Sequence, residues 1–192
     1  MSSSTSSASI VYIIHGYQAT PDSHWFPWLK QMLEAEGHQV EVLALPGPNT
    51  PKFEGWLDHL RANITRHDAQ SFFIGHSLGC ITLLRHLESQ QDAVGGMVLV
   101  SGFAEPLSFL PALDSFTAEP LNTEHLKNIV PQRLVMAAQD DNIVPYPYSL
   151  RLAEKLAAEW ELFEDGGHFM AEDGFTEFPA LYDAITQMLP QQ

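Results

Sequence analysis

Short runs of apolar residues alternate along the chain with stretches in which apolar positions recur every three or four residues. The runs predict strands buried on both faces of a parallel sheet, and the spaced positions predict helices with one apolar face. Strands are predicted at residues 10–14, 39–45, 72–74, 96–101, 133–138 and 160–163. Helices are predicted at residues 25–36, 53–65, 80–87, 147–158 and 176–189.

This alternation indicates an α/β fold in three layers, with a six-stranded parallel sheet between helices on both faces. Right-handed crossovers, and a site at a switch in strand order, predict the order 2-1-3-4-5-6. Residues 102–131 show no strand pattern, and 105–120 form either a short lid or a surface excursion. The Ser-rich residues 1–9 are predicted to be a disordered tail, and residues 10–192 a single domain.

The chain carries 24 acidic residues against nine lysines and arginines, a formal net charge of -15. This balance disfavours nucleic acid and anionic membranes as partners. No apolar run approaches the ~20 residues of a membrane-spanning helix, and the N-terminus does not resemble a signal peptide. The lone cysteine, Cys80, is predicted to fill the core. We therefore expect a cytoplasmic protein, and its oligomeric state is left open.

One stretch carries candidate chemistry. Gly75-His76-Ser77-Leu78-Gly79 follows a short apolar strand and precedes a helical pattern, the context in which G-x-S-x-G presents a nucleophile. Side chains at the two glycine positions would clash where strand and helix come together. Ser77 is therefore predicted to be a nucleophile at the carboxyl edge of the sheet.

A serine hydroxyl needs a base that takes its proton and an acid that orients the base. In this architecture both partners follow the serine along the chain, which leaves His86, His125 and His168 as bases. His86 lies on the helix after the serine, where a surface or half-buried position is expected. His125 lies in the irregular region. His168 follows the sixth strand in a Gly-Gly-His-Phe loop and is the predicted base.

The acid must come from another strand end. Asp140 and Asp141 directly follow the fifth strand, and only one of two adjacent carboxylates can point at the imidazole. Glu105, four residues beyond the fourth strand, is the alternative. Asp165 is too near His168 in sequence to orient its ring easily.

Two backbone N–H groups are expected to hold the oxyanion of an acyl-transfer reaction. The Leu78 N–H directly follows the nucleophile, and Tyr17 is the favoured donor in the loop after the first strand. His15 and His76 are expected mainly to shape the turns. A possible substrate pocket is assigned to His15, His24, Trp25, Phe103, Phe109, Tyr146 and Phe169.

Several motifs together resemble one family: residues 15–20, 24–29, 75–79, 99–103, 140–145 and 166–169. They are similar to the small α/β-hydrolases related to retinoblastoma-binding protein nine and the bacterial YdeN-like proteins. In α/β-hydrolases the acid commonly precedes an x-[IV]-[VP]-P element, which Asp141 does. The resemblance implies a single α/β-hydrolase domain across 10–192 and a triad of Ser77, Asp141 and His168.

The sequence thus predicts a serine hydrolase that cleaves small acyl esters through an acyl-enzyme, with no metal or cofactor. A small-molecule acyl substrate is the expected partner. A non-catalytic scaffold on the same fold is the alternative from another class. An amidase, peptidase or transacylase would use the same nucleophile. Competent residues at all three triad positions favour the enzyme.

Overall fold

The computed structural model describes residues 8–190. Within this range, six parallel strands form one sheet in the order β2-β1-β3-β4-β5-β6, which confirms the predicted fold and strand order. The strands are β1 (Ile10–Ile14), β2 (Gln39–Leu43), β3 (Ser71–His76), β4 (Gly96–Val100), β5 (Gln132–Ala138) and β6 (Glu159–Phe163).

Helices cover both faces of the sheet and bury two separate apolar clusters. The described helices are α1 (Phe26–Ala35), α2 (Phe53–Asn63), α3 (Leu78–Leu87), α4 (Asp114–Thr117), α5 (Thr123–Ile129), α6 (Tyr146–Leu156) and α7 (Pro179–Met188). Side chains of α1 and α7 fill one cluster, and those of α2 to α6 fill the other. The strands β1, β3 and β4 are buried along their whole length, which explains their continuous apolar runs.

The strand register brings the candidate loops to one edge. Ile14 pairs with Gly75, and His76 pairs with Val100, so β1, β3 and β4 end side by side. β5 and β6 end at the same edge, where Ala138 pairs with Phe163. The chain goes from β1 outward to β2 and returns on the other side as β3, so the order reverses beside the Ser77 turn.

Predicted element ends differ from the observed ends where a side chain or an unusual backbone angle interrupts the ladder. β2 ends at Leu43, and the Leu45 N–H instead donates to His15 Nε2 at 3.1 Å. β4 ends at Val100 because Ser101 takes a positive φ of 50°. α6 ends at Leu156, since Ala157 is left-handed.

Residues 1–7 of the predicted tail lie outside the described residues. Its last residue, Ser9, is instead buried, and its hydroxyl donates to Gln70 at 2.9 Å. Ser9 thus leads directly into β1. Among the described residues, no helix is both long enough and apolar enough to cross a membrane.

Candidate active site

Ser77 lies on a strained turn between β3 and α3. Its φ of 55° and ψ of -122° are unfavourable for a residue with a Cβ, and such strain persists only where the surroundings enforce it. The Ser77 N–H donates to the Val100 carbonyl at 2.9 Å, which ties the turn to the end of β4. The hydroxyl is therefore held beyond the carboxyl ends of the central strands.

Glycines allow the backbones around this turn to approach each other. A Cβ on Gly79 would lie 2.2 Å from the Ile14 carbonyl oxygen, which leaves no room for any side chain. A Cβ on Gly75 would lie 2.9 Å from the Cα of Cys80. Cys80 itself is buried in the core, as predicted, and burial raises the pKa of its thiol.

Asp141 and His168 form a buried pair across 27 residues of sequence. His168 Nδ1 donates to Asp141 Oδ2 at 2.8 Å, and only about 5% of each residue is exposed. The other carboxylate oxygen accepts the N–H groups of Ile143 and Val144, both at 2.9 Å. Three hydrogen bonds thus fix the carboxylate and set the orientation of the ring.

Two carboxylates that the sequence did not assign to the site hold the His168 loop. Asp140 Oδ1 accepts from the N–H groups of Gly166 and Gly167 at 2.9 and 2.8 Å. Asp173 Oδ2 accepts the His168 N–H at 2.9 Å. Adjacent aspartates at a strand end were the only signal for Asp140. Asp173 gave none, because its partner is a backbone group.

The alternative acid and bases lie elsewhere. Glu105 pairs with Arg151 at 2.7 Å instead of approaching His168. His125 bonds the Gln90 carbonyl at 2.7 Å. His86 is buried rather than at or near the surface, and its Nε2 lies 2.7 Å from that of His67.

His15 and His76 hold the turns in place, which is the main role that the sequence suggested for them. His15 Nδ1 lies 2.8 Å from the Gly16 carbonyl, while its Nε2 accepts the Leu45 N–H. His76 Nε2 donates to the His168 carbonyl at 2.8 Å, which links β3 to the loop of the predicted base. Burial lowers the pKa of both imidazoles and keeps them uncharged.

A cavity of about 520 Å³ lies over Ser77 and His168. Its lining is mostly apolar and includes Leu107, Leu110 and Leu113 from the segment predicted as a lid or surface excursion. Of the predicted pocket residues, His24 and Phe103 line it. Within the described residues, Ser77 Oγ forms no hydrogen bond with His168, and such contacts commonly tighten only when substrate binds.

The remaining predicted pocket residues do not line this cavity, so their assignment is corrected. Trp25 and Phe169 are fully buried in the α1 and α7 cluster, where the Trp25 indole donates to the Phe169 carbonyl at 3.1 Å. His15 is occupied by the turn. Tyr146 begins α6 outside the lining, and Phe109 is 50% exposed to solvent.

The predicted oxyanion donors lie in two adjoining loops. Leu78 is the first residue of α3, so its N–H has no partner inside the helix. In the loop after β1, Gln18 N–H donates to the Pro48 carbonyl at 2.9 Å and is unavailable to substrate, whereas no partner in residues 8–190 accepts the Tyr17 N–H. Tyr17 and Ser77 line the same cavity, and a Cβ on Gly16 would lie 3.0 Å from that of Ser77. The two loops are thus close enough to share one ligand.

Nothing in the described chain gathers three or more His, Cys, Asp or Glu side chains that could hold a metal ion. Among the groups that the chain offers at the cavity are a serine hydroxyl, an imidazole oriented by a carboxylate, and backbone N–H groups.

Comparison with known proteins identifies the family. A family model described as serine hydrolase matches residues 11–187. YdeN of Bacillus subtilis (strain 168) is 41% identical over 184 residues, covering 95% of this chain and 97% of that protein. The chain belongs to the serine hydrolase family. The serine hydrolase RBBP9 of Rattus norvegicus is 29% identical over 167 residues, with 86% of each chain covered.

Solved structures agree with this assignment. The crystal structure of the B. subtilis ydeN gene product has a TM-score of 0.92 at 42% identity, covering 94% of this chain and 98% of that one. The mouse α/β hydrolase domain-containing protein 10 has a TM-score of 0.73 at 13% identity, covering 93% and 88%, and shows the common fold. The resemblance to the YdeN and RBBP9 branch of the serine hydrolases is confirmed.

Proposed function

We propose that this serine hydrolase cleaves small acyl esters through a triad of Ser77, Asp141 and His168 and an acyl-enzyme intermediate. The observation that carries the proposal is the buried Asp141–His168 hydrogen bond beside a strained serine in one cavity. Three hydrogen bonds offset the cost of burying this carboxylate and hold it against the imidazole.

The Asp141 carboxylate fixes the tautomer of the ring. Because Asp141 Oδ2 can only accept, the proton of neutral His168 resides on Nδ1. The lone pair is then on Nε2, the nitrogen that must take the Ser77 proton. Asp141 stays ionised and stabilises the imidazolium that forms.

In the reaction, Ser77 Oγ attacks the ester carbonyl carbon while His168 Nε2 accepts the hydroxyl proton. The tetrahedral oxyanion is held by the N–H groups of Tyr17 and Leu78. As the C–O bond to the leaving alcohol breaks, His168 returns the proton to the alcohol oxygen. Water, deprotonated by the same ring, then attacks the acyl carbon of the Ser77 ester. The C–O bond to Ser77 Oγ breaks, the ring returns the proton to that oxygen, and the acid is released.

The cavity favours an acyl group of modest size. Its apolar wall is formed by side chains of the segment after β4 and of the loop after β5: Phe103, Leu107, Leu110, Leu113, Ile143 and Val144. A volume of about 520 Å³ lies within the usual range of small-molecule sites.

The proposal is tested with a fluorophosphonate probe and p-nitrophenyl esters of increasing chain length. We expect Ser77 to be labelled, and Ser77→Ala to lose labelling and several orders of magnitude in kcat/KM. Ser108→Ala, which changes an exposed serine of the segment after β4, serves as the matched control and should retain both. A set of aminoacyl amides run in parallel distinguishes an amidase or peptidase.

Two results would contradict the proposal. Ester turnover that survives in Ser77→Ala would show that this serine is not the nucleophile. A native protein that is folded but neither labelled nor active on any ester or amide would favour the scaffold alternative.

A further inference from the structure

Different parts of the chain give the cavity lining different chemistry. The segment after β4 contributes only apolar side chains to its wall, Phe103 and the leucines that follow it. The loop that carries His168 contributes Met170 and the carboxylate of Glu172, and His24 lies on the same side, because its Nδ1 accepts the Ala171 N–H at 3.0 Å. The apolar wall therefore comes from the segment after β4 and the loop after β5, and the one carboxylate of the described lining lies at the His168 loop.

Among residues 8–190, no positive charge at this cavity balances Glu172. None of the described lining residues is a lysine or arginine. Arg151 of α6 is paired with Glu105. Burial, which outweighs the opposing Glu172 carboxylate, lowers the pKa of the His24 imidazole. Its Nδ1 accepts a hydrogen bond, so the proton is on Nε2 and is available as a neutral donor.

The chemistry of the triad predicts where the alcohol and the acyl chain of the substrate lie in the cavity. His168 must hand its proton to the departing oxygen, so the leaving group lies next to the His168 loop during acylation. Glu172 and His24 lie at that loop, whereas the apolar wall is formed by the segment after β4 and the loop after β5. The acyl chain then occupies the apolar wall.

We infer that the substrate is an ester of an apolar acid with an alcohol that bears a positive charge, held by Glu172. This inference rests on the proposed function and names the substrate class of the same site. Uncharged alcohols are accepted less well, and anionic alcohols are disfavoured by Glu172 and by the overall charge of -15.

The test compares two esters of one size that differ in charge, butyrylcholine and 3,3-dimethylbutyl butyrate. The quaternary nitrogen of the first is replaced by carbon in the second. Because Glu172 is exposed, we expect a ratio of kcat/KM, cationic over neutral, of about two to five at low salt. The preference should appear in KM, since an ion pair of this kind is made equally in the ground and transition states.

In Glu172→Gln the ratio should fall toward unity, and added salt should lower the native ratio in the same direction. Glu177→Gln is the matched control, because it removes an equal charge from an exposed residue outside the lining and should keep the native ratio. Turnover of the neutral ester by native protein reports the proposed function separately.

A native ratio at or below one, or a ratio unchanged in Glu172→Gln, would overturn the inference while neutral-ester turnover leaves the proposed function intact. If neither ester is cleaved and Ser77 is not labelled, the proposed function fails and the inference falls with it.

Discussion

Replacing Asp141 with asparagine changes one atom at the centre of the proposed triad. In the native protein one carboxylate oxygen accepts two backbone N–H groups, from Ile143 and Val144, and the other accepts His168 Nδ1–H. The asparagine can keep its amide oxygen on the two N–H groups. Its NH₂ group then takes the place of Oδ2 and faces the ring.

A donor now opposes a donor, so the ring must shift its proton to Nε2 and accept at Nδ1. Nε2 then has no lone pair for the Ser77 proton, and the base is lost without a change of shape. Such a tautomer reversal lowers kcat by about 10⁴-fold, equivalent to about 5 kcal/mol of transition-state stabilisation. The free energy of unfolding should fall by only about 1–2 kcal/mol, since all three hydrogen bonds have neutral replacements.

The assay measures kcat for a p-nitrophenyl ester together with unfolding in urea, for native protein and Asp141→Asn. Glu105→Gln is the matched control, because it neutralises the other carboxylate that the sequence offered as the acid. Its partner Arg151 lies near the surface, so we expect less than about a twofold change in kcat.

Retention of more than a tenth of the native kcat in Asp141→Asn would refute the reasoning, provided that urea unfolding shows a folded protein. A large loss in Glu105→Gln with a small loss in Asp141→Asn would transfer the role of the acid to Glu105.

Two predictions concern the fold around the site. Gly79→Ala places a methyl group 2.2 Å from a backbone oxygen and should lower the free energy of unfolding in urea by about 3 kcal/mol or more. In the control Gly55→Ala, the new Cβ would meet its nearest atom at 3.8 Å, and the free energy of unfolding should rise slightly. Equal effects of the two substitutions would contradict the clash. Burial, with His67 and Arg61 nearby, lowers the pKa of His86 from 6.5 to about 4. As the pH falls through about 6.5, the unfolded chain binds a proton at this histidine before the folded chain does. The stability that the neutral, buried ring contributes is therefore complete above that pH and is lost toward pH 4. Between about pH 7.5 and 5 the free energy of unfolding in urea should fall by about 2 kcal/mol through this residue, and in His86→Gln the fall should be smaller by that amount. An unchanged pH dependence in His86→Gln would contradict a buried neutral ring.

Local chain properties were sufficient for much of the site. The turn at Ser77 needs a strand before it, a helix after it and small residues at positions 75 and 79, and all of these are adjacent in sequence. The strand and helix periods likewise depend on neighbours a few residues away. This is why the strands, the helices and the Ser77 turn could be predicted, whereas the strand order was predicted from the handedness of crossovers and a site at a switch in that order.

The partner of His168 was harder to predict than the Ser77 turn, because it depends on how the loop after β5 lies against the His168 loop. Asp140 and Asp141 are identical in chemistry, and residue reasoning alone left both open. The structure directs Asp141 at His168 and Asp140 at the Gly166 and Gly167 N–H groups. Both carboxylates thus act on one loop, one through its side chain and the other through its backbone.

Sequence alone did not show which aromatic side chains face the cavity and which face the core. Trp25, Phe169 and Phe103 all lie near strand ends, yet only Phe103 faces the cavity. Trp25 and Phe169 pack with Phe178, which directly precedes α7 and lies far from Trp25 along the chain, and face the core.

Sequence by itself predicted the elements and the Ser77 turn, because local periodicity and steric fit specify these, and it predicted the strand order from the handedness of crossovers. Only the tertiary structure decided which carboxylate meets the imidazole, which backbone groups hold its loop, and which apolar side chains line a cavity. Each of those depends on the direction of a side chain relative to residues far away in sequence, and tertiary packing and long-range hydrogen bonds set that direction.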